Sequence, residues 1–419
     1  MTLKRLLADA AARFSDRPAL VAEGSVTTYG ELDAEAERAA GSLRDLGVRP
    51  GDPAAFVMAN TPDSVATFHG ALRAGAVPVP LNPLLSERET KARSVGERAL
   101  EDVAVTLYTS GTTGEPRVIQ LTHSGLRLSA EATAASLGLT EHDVVFGAAP
   151  LSHVFGMTGC MNATFSAGAC LALVPRFQAA SALETIEQEG VTVFMGVPAM
   201  CIALLAEPGE LSLRVAHVGG APLPEETRRA FAERSGAEVL EGYGMTEAGG
   251  AVAIERVGRP HKPGSVGSAL TGELRIAEDG EVLVRAPTLA RGLDGWFATG
   301  DIGRLDADGD LFLLDRKKHV ILRGGYTVYP REVEEALAEH PGVREAVVLG
   351  IPHATLGEEV AALVVADGAD PDELKAFVRE RVAAYKYPRL IEVVDELPHG
   401  ATGKIDRRAI DRNALAARL

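Results

Sequence analysis

The chain has 419 residues, which is more than one compact domain usually contains, so two or three structural units are expected. Its 58 acidic and 42 basic residues give a formal net charge of -16. This charge argues against a general nucleic-acid-binding or membrane-surface role, because both roles need a basic face.

The cysteines and the lengths of the apolar runs indicate where in the cell the protein is expected. Cys160, Cys170 and Cys201 have no metal-ligand spacing and are odd in number, which favours reduced thiols. Residues 1–14 have the pattern of an amphipathic helix and lack the apolar core and cleavage site of a signal peptide. No run of about 18 apolar residues occurs, so we expect a cytoplasmic protein without a membrane-spanning helix.

Residues 2–100 alternate between helical and extended patterns. Helices are predicted at 29–46 and 64–74, and strands at 54–58 and 77–81. Strands that alternate with helices favour a largely parallel sheet with helices on both faces.

The stretch YTSGTTGEPR, residues 108–117, lies between two apolar segments, which predicts a strand, a tight loop and a second strand. Its glycines allow close approach of a ligand, and consecutive N–H groups and hydroxyls suit phosphate oxygens. No Gly-Lys-Ser/Thr closes the loop, so it is not a Walker A motif. A Gly/Ser/Thr run alone is also typical of a polar hairpin loop. The candidate phosphate-binding residues are Thr109, Ser110, Gly111, Thr112, Thr113, Gly114 and Arg117.

The order of residues in this loop resembles the phosphate-binding signature of the adenylate-forming superfamily, which includes acyl-CoA synthetases. Further motifs follow in family order, and the resemblance covers nearly the whole chain. It implies an α/β N-terminal domain, residues 1–317, with parallel sheets covered by helices. A hinge would join it to a small α+β C-terminal domain, residues 318–419. The segments around 84–100, 270–273 and 291–296 look shorter than is usual in the family.

The block APLSHVFG, residues 149–156, resembles the family segment that lines the acyl site. Amino-acid-activating relatives carry an Asp in this block, and this chain does not. Malonate-type relatives carry an Arg immediately before the Tyr-Gly-Met-Thr-Glu block, where this chain has Gly242. We therefore expect an apolar fatty or aryl monocarboxylic acid. The implied acyl-pocket residues are His153, Val154, Phe155, Gly196 and Val197, although a histidine between apolar residues is by itself more often a core residue.

The blocks GGAPL at 219–223 and GYGMTE at 242–247 resemble the family segments around the nucleotide. Tyr243 would stack on adenine, Thr246 would donate to a phosphate or carboxylate oxygen, and Glu247 would bind Mg²⁺ through hard oxygen atoms. Asp301 would accept hydrogen bonds from the ribose hydroxyls. The implied ATP- and AMP-binding residues are Gly219, Gly220, Ala221, Gly242, Tyr243, Gly244, Met245, Asp301 and Arg316.

The C-terminal part shows helical patterns at 332–339 and 371–384 and extended patterns at 347–349, 361–365 and 391–394. By resemblance, Lys318 is the hinge pivot. Lys404, in the motif LPHGATGKIDR, is the catalytic lysine, whose ammonium would neutralise charge in the transition state. The coenzyme A tunnel is implied at Gly324, Gly325 and Tyr326.

The resemblance implies ATP- and Mg²⁺-dependent conversion of the acid to acyl-AMP, followed by thioester formation with coenzyme A as co-substrate. Two alternatives stay open. One is an acyl-AMP ligase that loads the phosphopantetheine of a carrier protein. The other is a nucleotide- or acyl-binding homologue that has lost turnover through its shortened segments. The sequence does not indicate an oligomeric state.

Overall fold

The computed structural model describes residues 2–93, 98–110, 116–399 and 405–419. The chain divides into two compact units. The first consists of Met1–Arg275, Val284–Phe297 and Leu305–Phe312, and the second of Ile276–Leu283, Ala298–Arg304 and Leu313–Leu419. The boundary expected between residues 317 and 318 stays a prediction.

The first unit alternates helices with strands over most of its length. Its described α-helices are α1 (Leu6–Phe14), α2 (Tyr29–Asp45), α3 (Pro62–Ala74), α4 (Glu87–Arg93), α5 (His123–Ser136), α6 (Ala163–Ala167), α7 (Ala179–Gln188), α8 (Pro198–Ala206) and α9 (Glu225–Ser235). Its strands up to residue 269 are β1 (Pro18–Ala22), β2 (Ser25–Thr28), β3 (Pro53–Val57), β4 (Val77–Leu81), β5 (Val103–Ser110), β6 (Pro116–Thr122), β7 (Val144–Gly147), β8 (Cys170–Leu173), β9 (Val193–Gly196), β10 (Val215–Gly219), β11 (Glu238–Met245), β12 (Gly250–Ile254) and β13 (Ser265–Ala269). A π-helix spans Phe155–Asn162.

Four strands contain the points at which the chain passes from one unit to the other. They are β14 (Glu273–Ile276), β15 (Glu281–Arg285), β16 (Phe297–Leu305) and β17 (Asp310–Arg316).

The main sheet of the first unit is mixed. Strands β11, β10, β9, β7, β8 and β1 lie side by side in that order and are parallel. Antiparallel strands flank them, with β2 beside β1 and with β12 and β13 beyond β11. The parallel pairing predicted from the sequence is correct for the central strands. The antiparallel strands that flank them were not predicted. Strands β3 and β4 form a separate parallel pair, and β5 and β6 a separate antiparallel pair.

Both faces of the central parallel strands are buried. Neighbouring residues on one strand alternate between two core clusters, as Val193 and Phe194 do on β9. Because side chains alternate across a strand, each cluster covers one face of the sheet. The first cluster contains side chains of α1, α2, α3, α5 and the π-helix, and the second contains side chains of α7, α8 and α9. The expectation of helices on both faces is therefore confirmed.

Local signals account for the helix boundaries in the first unit. Thr28 caps α2 through a capping box with Glu31, whose side chain accepts from the Thr28 N–H. Thr61 caps α3, Pro62 occupies its first turn, and Gly75 ends it with a φ of +81°. Gly is favoured there because L-residues rarely adopt a positive φ. The helices predicted at 29–46 and 64–74 thus lie close to their observed bounds.

The second unit is a small α+β arrangement, as the sequence predicted. Its five-stranded sheet has the order β19 (Tyr326–Val328), β18 (Ile321–Arg323), β21 (Gly357–Ala366) and β20 (Val343–His353), with β22 (Leu390–Val393) pairing with β21. Its helices are α10 (Pro330–Ala338), α11 (Pro371–Arg379) and α12 (Arg412–Ala416).

Helix α11 ends five residues before the bound predicted at residue 384. At its end the Arg381 N–H donates to the carbonyl of Val378, three residues earlier, which tightens the last turn. The Arg381 guanidinium also donates to the carbonyl of Phe377 and lies over the Phe377 ring. A side chain beyond the helix therefore satisfies a terminal carbonyl, and this stops the helix early.

All three cysteines are free and buried. Burial raises the pKa of each thiol to about 12, so the thiolate is strongly disfavoured. Among the described residues, no helix is long and apolar enough to cross a membrane.

The side chain of Asn60 holds together the segment that leads to the predicted acyl-site block. Its Nδ2 atom donates to the carbonyls of Gly147, Ala149 and Val174 at 3.1–3.2 Å. Its Oδ1 atom accepts from the N–H of Leu151 at 3.0 Å. All these groups are buried, so water cannot replace their hydrogen bonds if the Asn60 side chain is removed.

We expect the substitution Asn60→Ala to destabilise the first unit by about 3 kcal/mol, because it leaves buried backbone groups unpaired. Chemical denaturation followed by circular dichroism measures this loss. Asn413→Ala, at an exposed position of α12, is the control and should change stability by less than about 0.5 kcal/mol. Equal effects of the two substitutions would contradict the role assigned to Asn60.

Candidate active site

Residues from three separate predicted motifs meet at the carboxyl ends of β9, β10 and β11. Gly196 on β9 pairs with Val218 on β10, and Gly219 on β10 pairs with Gly242 on β11. The carboxyl ends of adjacent parallel strands are a common place for ligands in α/β sheets. The structure thus brings the predicted adenine shelf, the GYGMTE block and part of the predicted acyl pocket to one edge of the sheet.

The glycines at this edge permit close packing. Gly220 has a φ of +81°, and a Cβ placed on it would lie 3.6 Å from Cγ1 of Val197. A Cβ on Gly219 would lie 3.2 Å from the carbonyl oxygen of Gly242 and 3.8 Å from Cε2 of Phe155. The backbone, rather than side chains, therefore forms this part of the surface.

The three predicted acyl-pocket residues at 153–155 lie in three different environments. His153 is exposed, and its Nδ1 atom accepts from the N–H of Phe155 at 3.2 Å. Val154 is buried in the first core cluster. Phe155 begins the π-helix and is half-buried against the same cluster. The Phe155 ring lies beside the glycine edge, with its Cε2 atom 3.8 Å from the position that a Cβ on Gly219 would take. π-Helical segments are rare and occur often at functional sites.

His217, which none of the sequence motifs identified as a site residue, lies on β10 next to this edge. Its side chain is only 2% exposed, and its ring centroid lies 5.6 Å from that of Phe155. Burial lowers the pKa of His217 to about 4, and a backbone hydrogen bond at Leu240 opposes this shift. The ring is therefore neutral at pH 7. The one available signal was a polar residue inside the apolar strand VAHVG.

The GYGMTE block continues from β11 into a 3-10 turn, Thr246–Ala248. Tyr243 is buried, whereas Thr246 and Glu247 are half-buried. The carbonyl oxygen of Glu247 accepts from the N–H of Ala290 at 2.7 Å, which anchors the turn. Its carboxylate makes no hydrogen bond or ion pair with any residue that the structure describes. A half-exposed carboxylate without a cationic partner is a suitable ligand for Mg²⁺.

Strands β5 and β6 form the hairpin that was predicted around the phosphate-binding loop. Thr109 pairs with Arg117, and Ser110 pairs with Pro116. The Arg117 side chain is exposed. The predicted loop residues Gly111, Thr112, Thr113 and Gly114 lie outside the described residues.

Two predicted nucleotide-binding residues form an ion pair within the second unit. The Nε atom of Arg316 lies 2.6 Å from Oδ1 of Asp301. The Asp301 side chain is 8% exposed, and its backbone N–H donates to the hydroxyl of Thr299 at 3.1 Å. These contacts fix the position of the carboxylate.

The predicted hinge residue, Lys318, is exposed in a 3-10 turn, Lys317–His319. On the N-terminal side of this turn, the buried carboxylate of Asp315 accepts from the N–H of Arg331 at 2.8 Å. Burial raises the pKa of Asp315, and hydrogen bonds from the backbone of Arg331 and Arg316 oppose this shift. The start of α10 is thereby tied to the end of β17.

The predicted coenzyme A segment forms the turn of a β-hairpin. Arg323 pairs with Tyr326, and Gly324 and Gly325 form the two-residue connection with φ values of +56° and +85°. Two positive φ values in a two-residue hairpin turn favour glycine at both positions. Tyr326 is 57% exposed and stacks on Tyr385, with ring centroids 4.7 Å apart.

Lys404, the predicted catalytic lysine, lies outside the described residues. The residues on either side of residues 400–404 are held in place. His399 and Ile405 form an antiparallel bridge, and the N–H of Asp406 donates to the carbonyl of Pro398 at 2.7 Å. Arg407 forms an ion pair with the half-buried Glu334.

Asp306, Asp308 and Asp310 are the one group of carboxylates in the described part of the chain with metal-ligand spacing. The Nζ atom of Lys262 lies within 2.7 Å of an oxygen of each of them. The hydrogen bonds that Lys262 donates to these carboxylates raise the pKa of its ammonium group, so this ammonium already supplies the cation.

Comparison with known proteins gives consistent matches over nearly the whole chain. The family model described as AMP-binding enzyme matches residues 7–95 and 91–293, and the model for the C-terminal domain of these enzymes matches residues 332–404. A long-chain-fatty-acid–CoA ligase from Bacillus subtilis is 32% identical, with 98% of this chain and 94% of the relative covered. A feruloyl-CoA synthase from Amycolatopsis sp. is 34% identical, with 93% and 94% covered.

Solved structures show the same architecture. ATP-bound MatB from Rhodopseudomonas palustris is 28% identical and superposes with a TM-score of 0.88, covering 97% of this chain and 98% of that one. The o-succinylbenzoate-CoA synthetase from Bacillus subtilis, in complex with its acyl-adenylate, is 30% identical with a TM-score of 0.87 and covers 97% of each chain. A large N-terminal and a small C-terminal domain are thus confirmed.

The comparisons also indicate that this chain is shorter than a relative in some segments. The match to the fatty-acid–CoA ligase extends over 526 residues, more than the 419 residues of this chain, so the relative carries segments that this chain lacks. The family model matches the N-terminal part in two stretches that meet at residues 91–95, inside the first segment predicted to be short.

The close contact between Gly242 and His217 generates a stability prediction. A Cβ on Gly242 would lie 2.4 Å from Cε1 of His217, so we expect Gly242→Ala to cost about 2 kcal/mol through overpacking. Combining it with His217→Ala should restore part of this loss. Gly41→Ala, on α2 with no atom within 4 Å of the new Cβ, is the control and should be neutral or stabilising. Strictly additive losses in the double variant, measured by thermal denaturation, would contradict the contact.

Proposed function

Because this chain belongs to the AMP-binding enzyme family, we propose that it joins a carboxylic acid to the thiol of coenzyme A through an acyl-adenylate. In the first step a carboxylate oxygen attacks the α-phosphorus of ATP, and the bond to the β-phosphate oxygen breaks to release pyrophosphate. In the second step the thiol sulfur attacks the acyl carbonyl, the thiol proton is lost to solvent, and AMP leaves.

The observation that carries this proposal is the convergence at the carboxyl ends of β9, β10 and β11. Gly219 and Gly242, from two nucleotide motifs, are paired residues, and Phe155 and Val197, from two acyl motifs, lie against the same glycine edge. A reaction between an acid and the α-phosphate needs both substrates at one place, since holding two reactants together removes much of the entropic barrier.

We assign the polar roles as follows. Glycine amides, hydroxyls of residues 109–114 and Arg117 bind the phosphates, and Thr246 donates to the reacting oxygens. Glu247 holds Mg²⁺, which when bound neutralises charge on the phosphates. The ATP-and-magnesium-bound o-succinylbenzoate-CoA synthetase from Bacillus subtilis, 30% identical to this chain, supports this assignment.

The remaining roles rest on residues of the second unit. Asp301 accepts hydrogen bonds from the ribose hydroxyls, and Arg316 holds this carboxylate in position. Lys404 supplies positive charge to the reacting carboxylate and α-phosphate. Lys318 serves as the pivot between the two steps, and the Gly324-Gly325 turn lies along the pantetheine arm.

We propose an apolar fatty or aryl monocarboxylic acid as substrate. Phe155 and Val197, which lie beside the glycine edge, are apolar, and His217 next to Gly242 is neutral. Relatives named as long-chain-fatty-acid–CoA and feruloyl-CoA ligases fall in this class. Relatives named as CoA ligases favour coenzyme A as acceptor over the phosphopantetheine of a carrier protein.

Pyrophosphate release tests this function. The protein is assayed with ATP, Mg²⁺ and a panel of fatty, aryl and dicarboxylic acids, with and without coenzyme A. We expect release that depends on a fatty or aryl acid, with acyl-CoA detected by mass spectrometry. Acyl-AMP that accumulates despite coenzyme A would indicate a carrier protein as acceptor. ATP binding without any release would instead support a homologue without turnover.

We expect Lys404→Ala to lower the rate of acyl-AMP formation by about 100- to 1,000-fold, because charge in the transition state loses its counter-ion. Single-turnover formation of acyl-AMP measures this rate. Lys375→Ala, on α11, is the matched control and should keep the full rate. A full rate in Lys404→Ala would refute the role of this lysine.

Asp301→Asn should weaken ATP binding by about 10- to 100-fold, because hydrogen bonds to a charged group contribute roughly 1.5–3 kcal/mol. Isothermal titration calorimetry with ATP and Mg²⁺ measures the change in Kd. Asp308→Asn changes an exposed carboxylate and is expected to leave the Kd unchanged. If both variants bind ATP as the unmodified protein does, Asp301 has no part in nucleotide binding.

A further inference from the structure

We propose that Glu281 is a positioning residue for the nucleotide site, which holds the backbone of Gly300 and thereby directs the carboxylate of Asp301 at the ribose hydroxyls. This inference rests on the proposed function and adds a residue that none of the sequence motifs identified. It starts from a carboxylate whose two oxygen atoms bind the peptide before Asp301 and the ammonium of Lys317.

The segment that carries Asp301 departs from regular strand conformation. Gly300, inside β16, has a φ of +75°, whereas regular strands have a negative φ. The direction of the Asp301 side chain therefore depends on what fixes this irregular peptide, and not only on the alternation of side chains along a strand.

Two side chains fix the peptides next to Asp301. The Oε1 atom of Glu281 accepts from the N–H of Gly300 at 2.8 Å. The hydroxyl of Thr299 donates to the carbonyl of Val282 at 2.8 Å and accepts from the N–H of Asp301 at 3.1 Å. Both side chains connect this segment to the start of β15, on which Glu281 and Val282 are neighbours.

The second oxygen of Glu281 is held as well. Its Oε2 atom accepts from Nζ of Lys317 at 2.8 Å, and the same ammonium lies 2.7 Å from Oδ2 of Asp279. The Oδ1 atom of Asp279 accepts from the backbone N–H of Glu281 at 3.1 Å. These hydrogen bonds raise the pKa of Lys317 and lower the pKa of Asp279, so both groups are charged at pH 7. With both oxygens bound, the plane of the Glu281 carboxylate is fixed.

The burial of Glu281 distinguishes it from a member of an ordinary surface ion pair. Its side chain is 12% exposed, whereas about half of the Lys317 and Asp279 side chains is exposed. Exposed ion pairs contribute little to stability, but a carboxylate that accepts from a backbone N–H makes a strong, charge-assisted hydrogen bond. We therefore assign the positioning role to the bond with Gly300, and Lys317 orients the carboxylate that makes it.

Asp301 is thereby held from two sides. The Nε atom of Arg316 lies 2.6 Å from its carboxylate, and the adjacent Lys317 binds the Glu281 carboxylate that holds the peptide before it. Two consecutive residues just before the predicted pivot, Lys318, thus contact the ribose-binding segment or its support. A carboxylate that is already fixed loses little freedom when a ribose binds, which favours binding.

The test measures discrimination between ATP and 2′,3′-dideoxy-ATP, which lacks both hydroxyls that Asp301 is proposed to bind. Isothermal titration calorimetry with Mg²⁺ gives the two Kd values for each variant. In the unmodified protein we expect ATP to bind about tenfold or more tightly than the dideoxy nucleotide, and Asp301→Asn should lower this ratio.

Two conservative variants of Glu281 separate the reach of the side chain from its charge. Glu281→Gln keeps an oxygen that reaches the N–H of Gly300, and Lys317 keeps Asp279 as a partner, so the ratio should stay within about twofold of its original value. Glu281→Asp keeps the charge but is one methylene shorter, so it loses contact with Gly300. Its ratio should fall to that of Asp301→Asn, while the Kd for the dideoxy nucleotide stays unchanged.

Glu273→Ala is the matched control. Glu273 is an exposed carboxylate on β14 that forms an ion pair with the exposed Arg285, and its removal should change neither Kd. The double variant Glu281→Asp/Asp301→Asn should show no further loss of discrimination, because both residues act through one contact with the ribose.

Several outcomes would overturn the inference. A purely structural role of Glu281 would weaken the binding of both nucleotides equally and leave the ratio unchanged in Glu281→Asp. Equal losses of the ratio in Glu281→Gln and Glu281→Asp would show that charge, and not the bond to Gly300, is what matters.

A second variant keeps the test decisive if Glu281→Asp does not fold. Thr299→Val removes the hydroxyl that accepts from the N–H of Asp301, so it should lower the ratio as well. An unchanged ratio in Thr299→Val would then contradict the positioning of Asp301 by its supporting side chains. Equal binding of the two nucleotides to the unmodified protein would overturn the ribose contact of the proposed function too, which distinguishes the two failures.

Discussion

The glycine contact between β10 and β11 is the constraint on which the candidate site depends. The carbonyl of Gly242 would lie 3.2 Å from a Cβ on Gly219, and the ring of His217 fills the space that a Cβ on Gly242 would need. The strands can therefore end side by side with bare backbone exposed to ligands. The parallel pairing with β9 adds Gly196 and Val197 to the same edge.

Polar contacts stabilise the segments that lead to the candidate functional residues. Asn60 donates three hydrogen bonds and accepts one, and those with Ala149 and Leu151 fix the segment between β7 and the π-helix that begins at Phe155. In the second unit, the half-buried carboxylate of Glu334 acts in the same way. Burial raises the pKa of Glu334, the Arg407 guanidinium opposes the shift, and their ion pair anchors the chain just after Lys404. In both units, candidate functional segments are thus held by polar side chains whose hydrogen bonds or ion pairs are satisfied.

The sequence predicted much of this arrangement because its signals are local. Capping residues such as Thr28 and Thr61 mark helix starts, and continuous apolar runs mark β9 and β10. Strand direction beyond β11 was not predictable, since nothing in the residues of β12 or β13 distinguishes antiparallel from parallel pairing. The early end of α11 depends on Arg381, a residue outside the helix that caps it.

Parts of the candidate site were equally beyond sequence reasoning. His217 resembles an ordinary core histidine until its unpartnered Nδ1 and its contacts with Phe155 and Gly242 are seen. The ion pair between Asp301 and Arg316 joins two motifs whose contact no spacing predicts. Conversely, the assignment of Lys404 and residues 111–114 rests on motif resemblance alone.

Oxygen transfer from the acid to AMP tests the acyl-adenylate most directly. The protein is incubated with ATP, Mg²⁺, coenzyme A and an acid whose two carboxylate oxygens are ¹⁸O, and the AMP produced is examined by mass spectrometry. Attack of the carboxylate on the α-phosphorus predicts AMP that carries one ¹⁸O atom. Unlabelled AMP, or ADP with labelled inorganic phosphate, would contradict the account.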